Sequence, residues 1–418
     1  MSVVAAGALG WRCAVCGTTI DVAEPLAFAC PRATANDRRH VLHPLSVATL
    51  PPRVDHPNPF VAYGPRMAWW AFARAHGMTE AAVVALASEV ADGFAETPFA
   101  PQALALGADG PSTVWVKDET GNVGGSHKSR HLVGILLHLR AAAALRLLPA
   151  GERPPLAIAS CGNAAIAAAT LSRRAEWPLQ VFVPDWASAT VLETLEALGA
   201  SITVCARRES DPPGDPAVLR FRESVTAGAL PFSVQGPENG MCLDGGRTIG
   251  WEIADAVGAD GGPDRLDRVV VQVGGGALAT CAGWGLGPSV RLDTVQADGC
   301  APLARAWWRS KDLAVPDAGI PHRWAQLMTP WERPQSLADG ILDDETYDWL
   351  GVFDVMRRSG GQPLVAPEEA IVSAATIGAA SGVPVSATGA AGVAGLLVRE
   401  GRPADGEEVA VIFSGVTR

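Results

Sequence analysis

Four short segments of this chain hold residues whose types and spacing could do chemistry. In KDETGNVGGSHKSRH (117–131) a glycine-containing loop delivers Lys128 to the start of a helical pattern. Backbone N–H groups at such a start disfavour a protonated amine, and a neutral lysine amine can condense with an aldehyde. In ASCGNAA (159–165) a tight turn enters a helix, where successive N–H groups suit a carboxylate and the Asn163 amide can donate or accept. A plain asparagine cap on that helix is the competing reading. In VVVQVGGGALAT (269–280) a buried-strand pattern runs into Gly274, Gly275 and Gly276, then a small-residue helix opening with Ala277 and Leu278. Glycines let the backbone approach a ligand closely, and exposed N–H groups suit a phosphate. This is neither the GxGxxG nor the GxxxxGK[ST] fingerprint, so a smaller phosphorylated cofactor fits better than a dinucleotide. In EVAVIFSGVTR (408–418) a strand delivers Ser414 at its end, where α/β sheets place ligands, and a serine hydroxyl can hydrogen-bond a pyridine nitrogen without fully protonating it.

A fifth group lies near the start. WRCAVCG (11–17), then Cys30 and His40, gives C-x2-C-x13-C-x9-H over Cys13, Cys16, Cys30 and His40, with His43 as a spare. Three thiolates and an imidazole suit a tetrahedral zinc whose role would be structural, because the chain supplies every ligand. No second CxxC exists, so a ribbon that has lost its metal remains open.

The elements that must position these groups follow a βαβ rhythm. Residues 113–116, 156–160, 179–183, 201–205, 268–273 and 408–413 read as strands. Between them, 129–145, 163–174, 188–198 and 247–257 carry apolar residues at helical spacing, and 65–77 and 79–93 read as further helices. The expected fold class is α/β, with mainly parallel open twisted sheets flanked by helices. The stretch PPRVDHPNP (51–59) marks a boundary after a small N-terminal segment, 1–50.

With 418 residues there is room for two or three domains. Lys and Arg number 33 against 44 Asp and Glu, a net charge of −11 that argues against nucleic acid or an anionic membrane as partner. Eight cysteines are too sparse for a disulfide framework in a chain this long, and no stretch approaches a membrane span, so a cytoplasmic protein acting on small molecules is expected.

Together the four segments resemble the fold-type II pyridoxal-phosphate enzymes, the superfamily of threonine synthase, the serine/threonine dehydratases, cysteine synthase and the tryptophan synthase β chain. PENGMCLDGGRTIGWEI (237–253), VQADGCAPL (295–303), SLADGI (336–341) and ATGAAGVAGLL (387–397) are similar to segments these enzymes carry in the same order, and the likeness spans about 113–418. Some threonine synthases also begin with a zinc-ribbon-like segment. The resemblance implies pyridoxal 5'-phosphate as cofactor and Lys128 as its Schiff-base lysine. It implies Asn163 beside the phenolic oxygen, with N–H groups of Gly274, Gly275, Gly276, Ala277 and Leu278 on the phosphate. Ser160, Cys161, Gly162, Asn163 and Ala164 would grip the substrate carboxylate, Ser414 would face the ring nitrogen, and His127 would match the histidine of tryptophan synthase β chains.

The implied domains are 1–50, a large cofactor domain of 51–150 with 245–418, and a small mobile domain of 151–244, in a homodimer. The implied reaction is Cα deprotonation of an amino acid, then β- or γ-elimination to an enamine that adds a nucleophile or is hydrolysed. A serine/threonine dehydratase or ammonia-lyase is the alternative, and a non-catalytic cofactor-binding regulator is a further one. Threonine synthases usually read GSFKDR where this chain has GSHKSR, and end in threonine-glycine-histidine where it has SGVTR, which separates it from phosphohomoserine chemistry.

Overall fold

In this computed structural model residues 7–107, 113–149 and 153–418 are described. The start 1–6 and the expected boundary at 150/151 lie outside them. Thirteen strands are present among the described residues. In chain order they are β1 (Ala8–Cys13), β2 (Thr19–Asp21), β3 (Leu42–Ser46), β4 (Phe99–Gln102), β5 (Val114–Asp118), β6 (Leu156–Ala159) and β7 (Leu179–Pro184). There follow β8 (Ser201–Cys205), β9 (Leu230–Pro231), β10 (Arg268–Gln272), β11 (Arg291–Ala297), β12 (Pro363–Ala366) and β13 (Val409–Phe413). The chain divides into two compact units: the described residues up to Ala95 with Lys128–Gly245, and Glu96–His127 with Gly246–Arg418.

The second unit is built on a six-stranded sheet of order β12-β11-β10-β13-β5-β4, parallel throughout except for β4. Its inner strands are apolar runs buried on both faces, Val269 to Val271 in β10 and Val409 to Phe413 in β13, as parallel sheets covered by helices require. Register places Val270 beside Val411 and Val411 beside Val116. Val114, Val270, Val295, Leu364, Val411, Phe413, Ile371 and Leu396 form one core with the Gly-Ala-rich turns of 387–397. Helices Arg247–Ala256 and Ala277–Leu286 cross where a methyl on Gly250 would stand 2.2 Å from the Ala282 carbonyl, so the crossing exists only without a side chain there.

One residue of β5 breaks the apolar pattern. Lys117 has no solvent exposure, yet its Nζ lies 2.6 Å from Glu252 Oε2 and donates to the Thr97 carbonyl at 2.7 Å. The Thr97 hydroxyl donates to Glu119 at 2.6 Å, and the Asn122 amide donates to the other Glu119 oxygen at 2.7 Å. Lys117, Thr97 and Asn122 thus serve two buried carboxylates, and the network ties β5 to the loop that follows it.

The first unit holds two sheets, a parallel one of order β8-β7-β6-β9 and an antiparallel one of order β2-β1-β3. Its longest helix, Lys128–Ala144, is buried along most of its length and meets the short helix Cys242–Gly245 where Gly134 and Gly245 leave no space for a methyl. His131 Nδ1 donates to the Cys242 carbonyl at 2.8 Å. Lower on the same helix, His138 donates from Nε2 to the Pro25 carbonyl at 2.5 Å, with its ring 4.2 Å from that of Phe72.

The expected strands all form, each within two residues of its expected limits, as do the helices at 163–174, 188–198 and 247–257. The helix expected over 65–77 is instead a 3-10 turn, Gly64–Arg66, followed by helix Ala68–Ala75, because Met67 between them has an extended backbone. Among the strands that the pattern reading left unmarked, β2, β4, β9 and β12 are two to four residues long, and β4, β9 and β12 carry proline.

Two outcomes are expected. Replacing Lys117 by methionine removes the buried ammonium that pairs with Glu252 and costs about 3–5 kcal/mol, read as a lowered denaturant midpoint. Burial pushes His138 down to about 4, against the raising effect of the Pro25 carbonyl. Its folded value therefore lies below the unfolded value of about 6.5, so its stabilising contribution is intact above that pH and is lost as pH falls toward 4. The loss reaches about 3 kcal/mol, and the difference between wild type and His138→Gln in urea titrations from pH 7 to 4 measures it.

Candidate active site

In the second unit the candidate residues gather at the carboxyl ends of three adjacent strands, β10, β13 and β5. The glycine loop leaves β10 directly. A methyl on Gly274 would stand 2.5 Å from Asp343 Oδ2 and 2.8 Å from the Ile341 Cα, and one on Gly276, whose φ is +97°, would stand 2.9 Å from Thr346 Cγ2. The glycines are therefore demanded by the 341–346 segment packed on them, the continuation of SLADGI. Gly276 caps helix Ala277–Leu286. Among the described residues no acceptor takes the N–H groups of Gly274, Gly275, Gly276, Ala277 or Leu278, and unsatisfied donors at a helix N-terminus suit an anion such as a phosphate.

Ser414 ends β13 and is 4% exposed. Its carbonyl accepts from the His127 backbone at 3.0 Å and from His127 Nδ1 at 2.9 Å, so Nδ1 carries the proton and Nε2 keeps its lone pair when the ring is neutral. The tail and the 119–127 loop are laced together: Glu119 N–H donates to the Phe413 carbonyl and Val416 N–H to the Gly125 carbonyl, both at 2.9 Å. Gln272, in β10, donates from Nε2 to Ser414 Oγ at 2.8 Å. Pattern reading did not single out Gln272, although a lone amide within VVVQV was a usable signal. These features fit pyridoxal phosphate: an N–H cradle for its phosphate and a hydroxyl for its ring nitrogen stand on one sheet edge. A cavity of about 680 Å³ elsewhere on this unit, lined by Leu106, Val365, Ile377 and Leu397 among others, contains none of the candidate residues.

In the first unit Lys128 is the first residue of its helix, half-buried and joined by a peptide bond to His127. The segment Ser160, Cys161, Gly162, Asn163, Ala164 links β6 to helix Asn163–Arg174. Asn163 does not cap this helix: Gly162 holds the cap position without a side-chain bond, and Asn163 is the first helical residue. Ser160 through Asn163 are half-buried and Ala164 is buried.

The N-terminal residues also assemble in the first unit. The ligating atoms of Cys13, Cys16, Cys30 and His40 all lie within 4.8 Å of one another, and His43 is not one of the four. Cys13 Sγ is 3.3 Å from His40 Nδ1, and Cys16 Sγ is 3.5 Å from Cys30 Sγ. Tetrahedral zinc with bonds of about 2.3 Å to sulfur needs sulfurs about 3.8 Å apart, close to this arrangement. His40 turns its other nitrogen toward Asp37 Oδ2 at 3.7 Å, the outer partner a metal-bound imidazole commonly has.

A family model described as pyridoxal-phosphate dependent enzyme matches residues 90–415, and the chain belongs to that family. It is a fold-type II member, and pyridoxal phosphate is its cofactor. Among solved structures it is similar to maize serine racemase, with a TM-score of 0.62 and 19% identity over 80% of this chain and 92% of that one. The processed threonine deaminase isoform 2 of Solanum lycopersicum gives 0.60 and 18%, over 82% and 92%. The L-serine ammonia-lyase of Rhizomucor miehei gives 0.58 and 15%, over 77% and 94%. At these identities the likeness is one of fold. No curated protein matches this chain in sequence. Among the described residues no helix is long and apolar enough to cross a membrane.

The cluster leads to a measurable expectation. Protein purified under reducing conditions carries one zinc per chain by atomic absorption, and Cys16→Ser or Cys30→Ser lowers both the zinc content and the thermal midpoint. Full stability without metal in wild type would mark a ribbon that no longer binds it.

Proposed function

We propose that this chain is an amino-acid lyase or synthase of the threonine synthase-like kind, eliminating a β- or γ-substituent and then admitting a nucleophile. When bound, pyridoxal phosphate supplies the electron sink that makes a substrate Cα proton removable. In this reading Lys128 holds the cofactor's aldehyde carbon and, once displaced by the substrate amine, carries the Cα proton as general base. Asn163, at the start of its helix, offers its amide to the phenolic oxygen. The N–H groups of 160–164 receive the substrate carboxylate, and those of Gly274, Gly275, Gly276, Ala277 and Leu278 hold the phosphate, with His127 beside them.

The observation that carries the reading is the Ser414 hydroxyl at the end of β13, on the sheet edge that bears the glycine cradle. A neutral hydroxyl cannot protonate the ring fully as an acid would, which favours loss of a leaving group over transamination. A dehydratase or ammonia-lyase releasing a keto acid and ammonia is the second reading. SLADGI resembles the dehydratases' segment, and it leads into the residues packed on the glycine loop. All eight cysteines are free, in keeping with a reducing cytoplasm, and a homodimer is part of the proposal.

Purified wild type titrated with pyridoxal phosphate should develop a yellow absorbance that Lys128→Ala lacks. Holoenzyme mixed with serine, threonine, diaminopropionate, O-phosphoserine or phosphohomoserine should then change its spectrum with one of them and yield a keto acid with ammonia or a new amino acid. Racemisation alone, or silence with all five, would set the proposal aside.

A further inference from the structure

Gln272 is buried, 3% exposed, in an otherwise apolar strand run. Its amide nitrogen lies 2.8 Å from Ser414 Oγ and 2.8 Å from the Gly389 carbonyl, with the carbonyls of Thr388 and Ile412 at 3.2 Å. Three surrounding oxygens can only accept, so the NH2 end of the amide must face them. Its two hydrogens go to the two nearest acceptors, Gly389 and Ser414. A hydroxyl that accepts from Gln272 directs its own hydrogen elsewhere, and among the described residues none accepts it.

We infer that Gln272 is a positioning residue that fixes the Ser414 hydroxyl as hydrogen-bond donor to the ring nitrogen of bound pyridoxal phosphate. The inference rests on the cofactor assignment above. A hydroxyl that accepts one hydrogen bond is the stronger donor of the next, because the two polarise each other. With an apolar residue at 272, Ser414 Oγ loses the donor that occupies its lone pair, and its own hydrogen is no longer directed away from that side. Gln272 thus acts on the cofactor through Ser414 without touching it.

The test is a double-mutant cycle on the affinity of apoprotein for pyridoxal phosphate, read by visible absorbance, over wild type, Gln272→Met, Ser414→Ala and the double variant. Each single change is expected to weaken binding about tenfold, the scale of one hydrogen bond, with the double variant no weaker than Ser414→Ala. The second readout is 1-deazapyridoxal phosphate, in which carbon replaces the ring nitrogen. Wild type should prefer the natural cofactor about tenfold, and Gln272→Met should lose that preference. A merely structural amide would give additive losses and an unchanged preference, and either result overturns the inference. Should the methionine variant not fold by circular dichroism, Gln272→Leu and the donor-retaining Gln272→His replace it; only the histidine variant should keep the preference, and equal behaviour of the two overturns the inference. Wild type that fails to bind pyridoxal phosphate removes the cofactor assignment and this inference together, whereas wild-type binding with an unaffected Gln272→Met removes this inference alone.

Discussion

A single ammonium with no access to water organises the second unit. Lys117 sits in the middle of a strand flanked on both sides by other strands, and it is tolerable there only because Glu252 meets it at 2.6 Å and the Thr97 carbonyl at 2.7 Å. Desolvating such a pair is expensive, and leaving either member alone is worse. The same cluster satisfies Glu119 through Thr97 and Asn122, so the loop that begins at Glu119 starts from a fixed point. Eight residues later that loop ends at His127, itself held twice by the Ser414 carbonyl. The residue preceding Lys128 is therefore placed by hydrogen bonds at both ends of a short loop.

Parallel pairing explains why the remaining groups of that unit share an edge. When β10, β13 and β5 run in one direction, whatever follows each strand emerges at the same end, and the glycine loop, Ser414 and the 119–127 loop do so together. Packing by 341–346 then excludes side chains from the glycine loop. The shared position of these groups is thus a consequence of strand direction.

In the first unit a different constraint operates. The loop between Cys16 and Cys30 is docked through successive carbonyls: Ala23 accepts from His76, Pro25 from His138 and Phe28 from the Gly240 backbone. His138 lies on the helix that Lys128 opens. The cluster of Cys13, Cys16, Cys30 and His40 thus stands at both ends of a loop whose Pro25 carbonyl meets that helix.

Much of this was legible in the chain. Apolar β-branched runs fixed the inner strands because parallel strands are buried on both faces, and the C-x2-C-x13-C-x9-H spacing named four residues that do meet. The glycine triplet and the strand-end serine were visible because each directly follows a run of strand residues, although the packing that demands the glycines comes from 341–346. Gln272 was passed over because an amide in a strand declares its partners only when a second strand brings Ser414 and a turn brings Gly389 to it, residues more than a hundred positions away. The competing reading of Asn163 as a helix cap is set aside by the turn, in which Gly162 holds the cap position. Periodicity, local turn chemistry and residue type were thus determined by the sequence itself. Which polar groups end up facing one another was decided by tertiary packing, because a hydrogen bond between distant segments needs angstrom-level placement that no spacing along a chain encodes.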